Sequence, residues 1–272
     1  MKKSIAEALQ RRLKALGLYA GEIDGDRGPK TIAAVNAALA DRASAMAGWT
    51  DLRKAVAVLQ LWAEAEGVET GAIDGRWGPQ TEFAVDTVMA KEATGAMPPA
   101  WRDEIEPGPA ADTWPRQSGL TGWYGPPGRQ GGAAPPYIVN VPTRWKLKIA
   151  WDFALSRKHF SVHQKVANSL GRVLDKVLAT YGEANIARLG LDLFGGDYNA
   201  RPMRGGTQPS THSWGIAIDF DPEKNPLKAS RETARFAHPD YEDWWRAWEA
   251  EGWLSLGRAR NFDWMHVQAA RL

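Results

Sequence analysis

One internal repeat constrains the fold of this chain more than any other feature. The stretch LQRRLKALGLYAGEIDGDRGPKTIAAV at 9–35 aligns with LQLWAEAEGVETGAIDGRWGPQTEFAV at 59–85, at one constant offset. Leu9, Gln10, Gly17, Gly21, Ile23, Asp24, Gly25, Gly28, Pro29, Thr31, Ala34 and Val35 recur as Leu59, Gln60, Gly67, Gly71, Ile73, Asp74, Gly75, Gly78, Pro79, Thr81, Ala84 and Val85. Such punctuation means that one small supersecondary unit is built twice. In the first copy Ile5, Ala8, Leu9, Leu13 and Leu16 fall at helical spacing ahead of Gly17, a residue suited to the left-handed end of a helix. Asp24-Gly25 is a turn signal, and Gly28-Pro29 opens a second apolar-periodic stretch, where proline in the first helical turn costs nothing. Each copy therefore reads as helix, structured loop, helix. Tyr19, Trp62 and Trp77 are assigned to the core rather than to a sugar-stacking surface.

The combined pattern, LQ, then IDG, then GP and T, then AV, resembles the type 1 peptidoglycan-binding domain. That resemblance implies a three-helix module that docks on bacterial cell wall, with the copies at 1–45 and 46–92. It does not say which residues touch the wall, so the Asp24 and Asp74 turns stand either as contacts or as supports of the loop.

Composition removes several classes. The chain has 272 residues, and no apolar run approaches the roughly 18 residues needed to span a bilayer, so no stable membrane insertion is expected. A net charge of +2 is too mild for a nucleic-acid partner, which calls for a concentrated basic face. The start, MKKSIAEALQRRLKALG, is basic like a secretory signal. Polar residues from Glu7 to Lys14 interrupt any apolar core, so it reads as a retained amphipathic helix and not a signal peptide. Because the chain has no cysteine, a metal must be held by His, Asp, Glu or carbonyl oxygen.

From about residue 93 the helical periodicity lapses into a Pro- and Gly-rich stretch, read as a linker over 93–113. A second such cluster at 123–142 mixes aromatics with the breakers and reads as an ordered arm over the next domain, 114–272. Within KIAWDFALSRKHFSVHQKVANSLGRVLDKVLATYG, residues Val162, Val166, Leu170, Val173, Leu174 and Leu178 repeat at helical spacing and predict a core-covering helix. The runs IARLGLDLFGG, GDYNARPMRGG, SWGIAIDFD and NFDWMHVQAA are strand-like between Gly-rich turns, giving an α+β domain.

Five histidines are the metal candidates. His159 and His163 stand i, i+4 on the expected helix but lack the glutamate of the HExxH motif. They read as ordinary helix residues, and His238 as a turn residue beside proline. His212 differs because of its surroundings, Ser210-x-His212-x-x-Gly215-x-Ala217-x-Asp219. In a strand Gly215, Ala217 and Asp219 share one face while Ile216, Ile218 and Phe220 fill the other, so the Asp219 carboxylate is flanked by apolar surface and needs a cation. NFDWMHVQ adds Asp263 and His266. Residues three apart on a regular strand face opposite sides, so a bulge or turn is expected between them if both face one ion. Ser210 stands either as an outer support of a ligand or as a local turn acceptor.

The stretch from Trp114 to Leu272, with YNARPMRGG before STHSWGIAID and DWMH near the end, resembles the zinc D-alanyl-D-alanine carboxypeptidase and L-alanyl-D-glutamate endopeptidase family. The resemblance implies a small α+β domain with an antiparallel sheet. It also implies zinc ligands His212, Asp219 and His266, Asp263 as catalytic acid and base, and Arg201 as the substrate-polarising arginine, with Arg204 its competitor. The expectation for the whole is multidomain: two small all-α repeats followed by an α+β zinc peptidase. That architecture is similar to a monomeric phage endolysin, held in the host cytoplasm before lysis, whose partner is peptidoglycan. L-alanyl-D-glutamate endopeptidase cleavage is the favoured activity. Terminal D-alanine removal and a non-catalytic wall-binding virion protein are the alternatives.

Overall fold

The computed structural model describes residues 1–98 and 113–272, and the chain divides into two units, Met1–Pro99 and Ala100–Leu272. Most of the expected linker lies outside the described residues; its first two positions belong to a helix.

In the first unit, each repeat contributes two helices: α1 (Lys3–Ala15) and α2 (Pro29–Ala38), then α3 (Asp51–Ala65) and α4 (Pro79–Thr94). A 3-10 turn, Ala40–Arg42, follows α2. Pro29 and Pro79 both sit in a first helical turn, and Gly17 takes φ 73° just past α1. Leu9, Leu13, Ala34 and Val35 of the first copy and Leu59, Trp62, Ala84 and Val85 of the second belong to one shared core. Tyr19 and Trp62 are buried in it and Trp77 packs against it, whereas Leu16 is exposed because the helix has ended.

The repeated Gln and IDG residues meet each other. Gln10 Nε2 donates to Asp24 Oδ1 (2.7 Å) and to the Asp26 carbonyl (2.8 Å), while its Oε1 accepts from the amides of Asp24 and Gly25. Gln60 Nε2 likewise donates to Asp74 Oδ1 (3.1 Å) and Thr81 Oγ1 (3.1 Å), and its Oε1 accepts from the Gly75 amide (2.8 Å). One buried amide side chain thus holds each interhelical loop by its backbone. Gly75, at φ 68°, packs so tightly on the Arg53 carbonyl that no Cβ fits there. The shared motif shapes the loop.

The second unit carries a six-stranded mixed sheet of order β2-β1-β3-β4-β6-β5. Its strands are β1 (Ile138–Ile149), β2 (Asp152–His163), β3 (Leu193–Gly196), β4 (Ala217–Phe220), β5 (Leu254–Ser255) and β6 (His266–Gln268). A short helix α5 (Leu120–Tyr124) precedes it, the long α6 (Gln164–Leu189) covers it, and α7 (Glu242–Ala250) and α8 (Leu256–Arg260) follow. All pairings are antiparallel except β1 with β3, which α6 brings together as a parallel pair; the expected antiparallel sheet is therefore mixed.

The expected helix through 159–163 is corrected. Phe160 and Val162 alternate with Ser161 and pair with β1, so His159 and His163 lie on β2 and the helix starts only at Gln164. The apparent helical period arises because Val162, on the strand, and Val166, on the helix, enter the same core. GDYNARPMRGG is likewise a loop, crossed only by an isolated Pro202–Pro209 bridge. Val166, Leu170, Val173, Leu174 and Val177 of α6 pack with Ile216, Ile218 and Phe220 of the β4 segment and with Trp244, Trp245 and Trp248 of α7. The Pro/Gly arm is ordered: the Trp214 indole donates to the Gly125 carbonyl (2.7 Å), and the Gly128 amide to that of Ser213 (2.7 Å). No helix among the described residues is long and apolar enough to cross a membrane.

His163 caps α6. Its Nδ1 accepts from the Lys165 amide (3.0 Å), which leaves Nε2–H to donate to the Tyr124 carbonyl (3.0 Å), while Tyr137 stacks on the ring at 4.6 Å. Burial pushes its pKa below the ordinary value, and the nearby Lys165 adds to this, against the Tyr124 hydrogen bond.

Two outcomes follow for stability. Gln60→Ala is expected to cost about 2–3 kcal/mol by leaving buried loop groups unpaired, read from urea unfolding; an unmoved midpoint contradicts the role of the network. The unfolded chain protonates His163 before the folded one does, so its contribution is complete above the unfolded pKa and is lost as pH falls below about 6.5. His163→Asn, which retains a capping side chain, is expected to flatten the fall in stability between pH 7.5 and 5.5. The wild-type excess slope should be at most about 1.4 kcal/mol per pH unit, and parallel curves contradict it.

Candidate metal centre

The centre grows out of sheet register. Along β4 and the residue before it, Ile216, Ile218 and Phe220 turn into the core, which leaves Ala217 and Asp219 on the opposite face. Asp219 stands directly across from His266 on β6 and from Gly196 on β3. Opposed residues of an antiparallel pair hold their Cβ atoms roughly 5 Å apart, so pairing alone makes Asp219 and His266 neighbours. Glycine on the other side leaves space beside the carboxylate.

His212 arrives from a 3-10 turn, Thr211–Trp214, whose first amides are capped by Ser210: its Oγ accepts from the His212 amide at 3.4 Å. This is the local turn role of Ser210. The chain then reverses at Gly215, with φ 68°. A Cβ there would come within 2.6 Å of Ile138 and 2.9 Å of the His163 amide, so glycine is required on both counts. This reversal brings His212 back onto Asp219, seven positions later.

The three residues are all at most 3% exposed, and their ligand atoms lie within 4.8 Å of one another. His212 Nε2 is 3.2 Å and His266 Nδ1 is 2.9 Å from the same Asp219 Oδ1. The rings meet edge to face at 5.1 Å. His212 Nδ1 is 2.7 Å from the Asp197 carbonyl, which can only accept, so Nδ1 carries the proton and Nε2 presents a lone pair. That Nε2 makes no hydrogen bond, although it faces the carboxylate. A buried lone pair aimed at a carboxylate is repulsive unless a cation stands between them. Tetrahedral bonds of 2.0–2.2 Å imply ligand separations of about 3.4 Å, close to those found. The group could therefore hold a metal ion, and it is the one such cluster of His, Cys, Asp or Glu among the described residues.

The electrostatics agree. Burial lowers the His212 pKa, with help from Arg201 and His266 and against the pull of Asp219, so the ring is neutral, the form that binds metal. Asp219 is buried just as deeply, so its carboxylate stays ionised only with positive charge beside it.

The remaining expected residues are close in the chain fold. Asp263 is buried on a turn, with φ 56°, and its carbonyl accepts from the His266 amide (3.0 Å), which is the interruption that its spacing from His266 required. It is not one of the three converging groups. Arg201 and Arg204 are both buried. Arg204 Nη1 stands 3.9 Å from Asp219 Oδ2, whereas Arg201 Nη1 donates to the Pro202 carbonyl (3.0 Å). The Arg201 backbone is tied to the ligand turn through Ser213 Oγ and the Ser210 amide. His159 and His163 take no part: four residues along a strand span about 13 Å. His238 caps a surface 3-10 turn, Pro239–Tyr241.

Sequence reasoning missed the outer contacts, the Asp197 carbonyl on His212 and Gln268 on His266. The first has no sequence signal, since any residue offers a carbonyl. Gln268 was findable, standing two residues beyond His266 on the same strand face. No family model, curated protein or solved structure matches the chain.

For the metal-stripped protein, zinc at about 100 times its Kd is expected to stabilise the second unit by about 2.7 kcal/mol, or roughly 5–10 °C in Tm. His212→Ala and His266→Ala should abolish the calorimetric shift; an undiminished shift in either places the ion elsewhere.

Proposed function

We propose that the chain is a cell-wall lytic enzyme of the endolysin type, a zinc peptidase that hydrolyses amide bonds in peptidoglycan stem peptides while its repeat unit docks on the same polymer. The observation that carries the reading is the buried convergence of His212 Nε2, His266 Nδ1 and Asp219 Oδ1. Two imidazoles and one carboxylate, with no thiolate in the chain, suit zinc best among the divalent ions and leave it a coordination position for a fourth ligand. Such an ion supplies Lewis acidity, polarising an amide carbonyl and lowering the pKa of water to about 7.

The protein's own groups do the rest. Asp263, buried on the turn that delivers His266, takes a proton from the attacking water and returns it to the leaving amine. Arg201 stabilises the negative charge that develops on the carbonyl oxygen, with Arg204, 3.9 Å from Asp219 Oδ2, as its competitor. Attachment through the repeats raises the local enzyme concentration on an insoluble substrate without altering the site. On this reading the protein waits in the host cytoplasm and acts once the inner membrane is opened. The favoured bond is that between L-alanine and D-glutamate.

Mass spectrometry of muropeptides after digestion is expected to show stem peptides severed behind the first alanine; loss of one terminal alanine alone contradicts the endopeptidase assignment. Asp263→Asn should lower the rate of release about 10²–10⁴-fold with zinc still bound. Full lytic activity in that variant overturns the proposed proton shuttle.

A further inference from the structure

Gln268 follows His266 by two residues on β6, so both side chains lie on the strand face that looks onto the centre. It is 1% exposed, and opposite it on β4 stands the small Ala217. Its Oε1 is 3.1 Å from His266 Nε2, and it accepts from Thr211 Oγ1 (3.3 Å) and from Gln117 Nε2 (3.4 Å). Its Nε2 donates to the Ala270 carbonyl at 3.1 Å. Thr211 Oγ1 also lies 3.4 Å from His266 Nε2.

An amide side chain can face a histidine with either end, and the two orientations demand opposite tautomers. If the NH2 end faced the ring, His266 Nε2 would accept and Nδ1–H would donate to Asp219. The carboxylate would then be satisfied by a proton, and the ring would have no lone pair to offer a metal. With Oε1 facing the ring, Nε2 carries the proton and Nδ1 presents its lone pair at 2.9 Å from Asp219 Oδ1. The Ala270 carbonyl decides between them. It can only accept, so a reversed amide would set Oε1 against it, oxygen to oxygen, in a buried place.

We infer that Gln268 is a positioning residue for the metal centre: its locked amide fixes His266 as the Nε2–H tautomer and so creates the Nδ1 ligand. This rests on the zinc reading of the site but has its own readout. In the metal-free protein, two-bond 1H–15N spectra of the imidazoles at pH 8 should show a proton on His266 Nε2, whether or not Nδ1 also carries one toward Asp219. Gln268→Leu removes the acceptor, and His266 is expected to shift to Nδ1–H, donating to Asp219. Zinc affinity, measured by chelator competition, is expected to fall 10–100-fold in Gln268→Leu.

A wild-type His266 protonated at Nδ1 alone overturns the inference without any variant, even if Gln268→Leu fails to fold. So does a folded Gln268→Leu protein that keeps the Nε2–H ring and binds zinc within about twofold of wild type. A wild-type protein that takes up no zinc would instead sink the hydrolase reading, and the tautomer spectra would still decide the role of Gln268.

Discussion

The pairing of β4 with β6 is the constraint on which the rest of the second unit depends. It sets Asp219 against His266, Ile218 against Val267 and Ala217 against Gln268. A slip of one residue would exchange the faces of the strand, sending the carboxylate into a core of Trp, Phe and Ile side chains and bringing Ile218 to the centre. The apolar face of β4, sealed by α6 and α7, therefore enforces the register that the site uses. Desolvation of Asp219 is the cost, and it is offset only where two imidazoles and a cation share the carboxylate.

That dependence extends outward through backbone groups. The Asp197 carbonyl turns His212, the Gly215 reversal carries it back to the sheet, and the Pro/Gly arm clamps the same turn through Trp214 and Ser213. Asp197 itself is pushed up to about 6 by burial, in spite of Arg157 at 3.1 Å, so a second buried carboxyl lies one contact behind the first ligand. In the repeat unit the logic is the same on a smaller scale. Gln10 and Gln60 satisfy loop amides from within, and a short chain segment with little apolar surface is held in a single conformation.

Much of this is legible in the sequence alone. The repeat spoke through residues with fixed backbone demands, Gly17, Pro29 and Gly75, and those demands are local. The alternation of Ile216, Ile218 and Phe220 with Ala217 and Asp219 is equally local, and it leads to the His-Asp-His group that could hold a metal ion. The β1–β2 hairpin was not legible. Its alternation runs directly into α6, and Val162 and Val166 mimic one helical face although they belong to different elements. The parallel β1–β3 pair, the Asp197 carbonyl and the Ala270 carbonyl that orients Gln268 all depend on tertiary placement, which no short window of residues contains.

The most direct measurement is anomalous diffraction at the zinc absorption edge from crystals grown with zinc. A single strong peak within bonding distance of His212 Nε2, Asp219 Oδ1 and His266 Nδ1 is expected. An empty centre, or an ion bound only by other side chains, contradicts a zinc site and with it the hydrolytic chemistry.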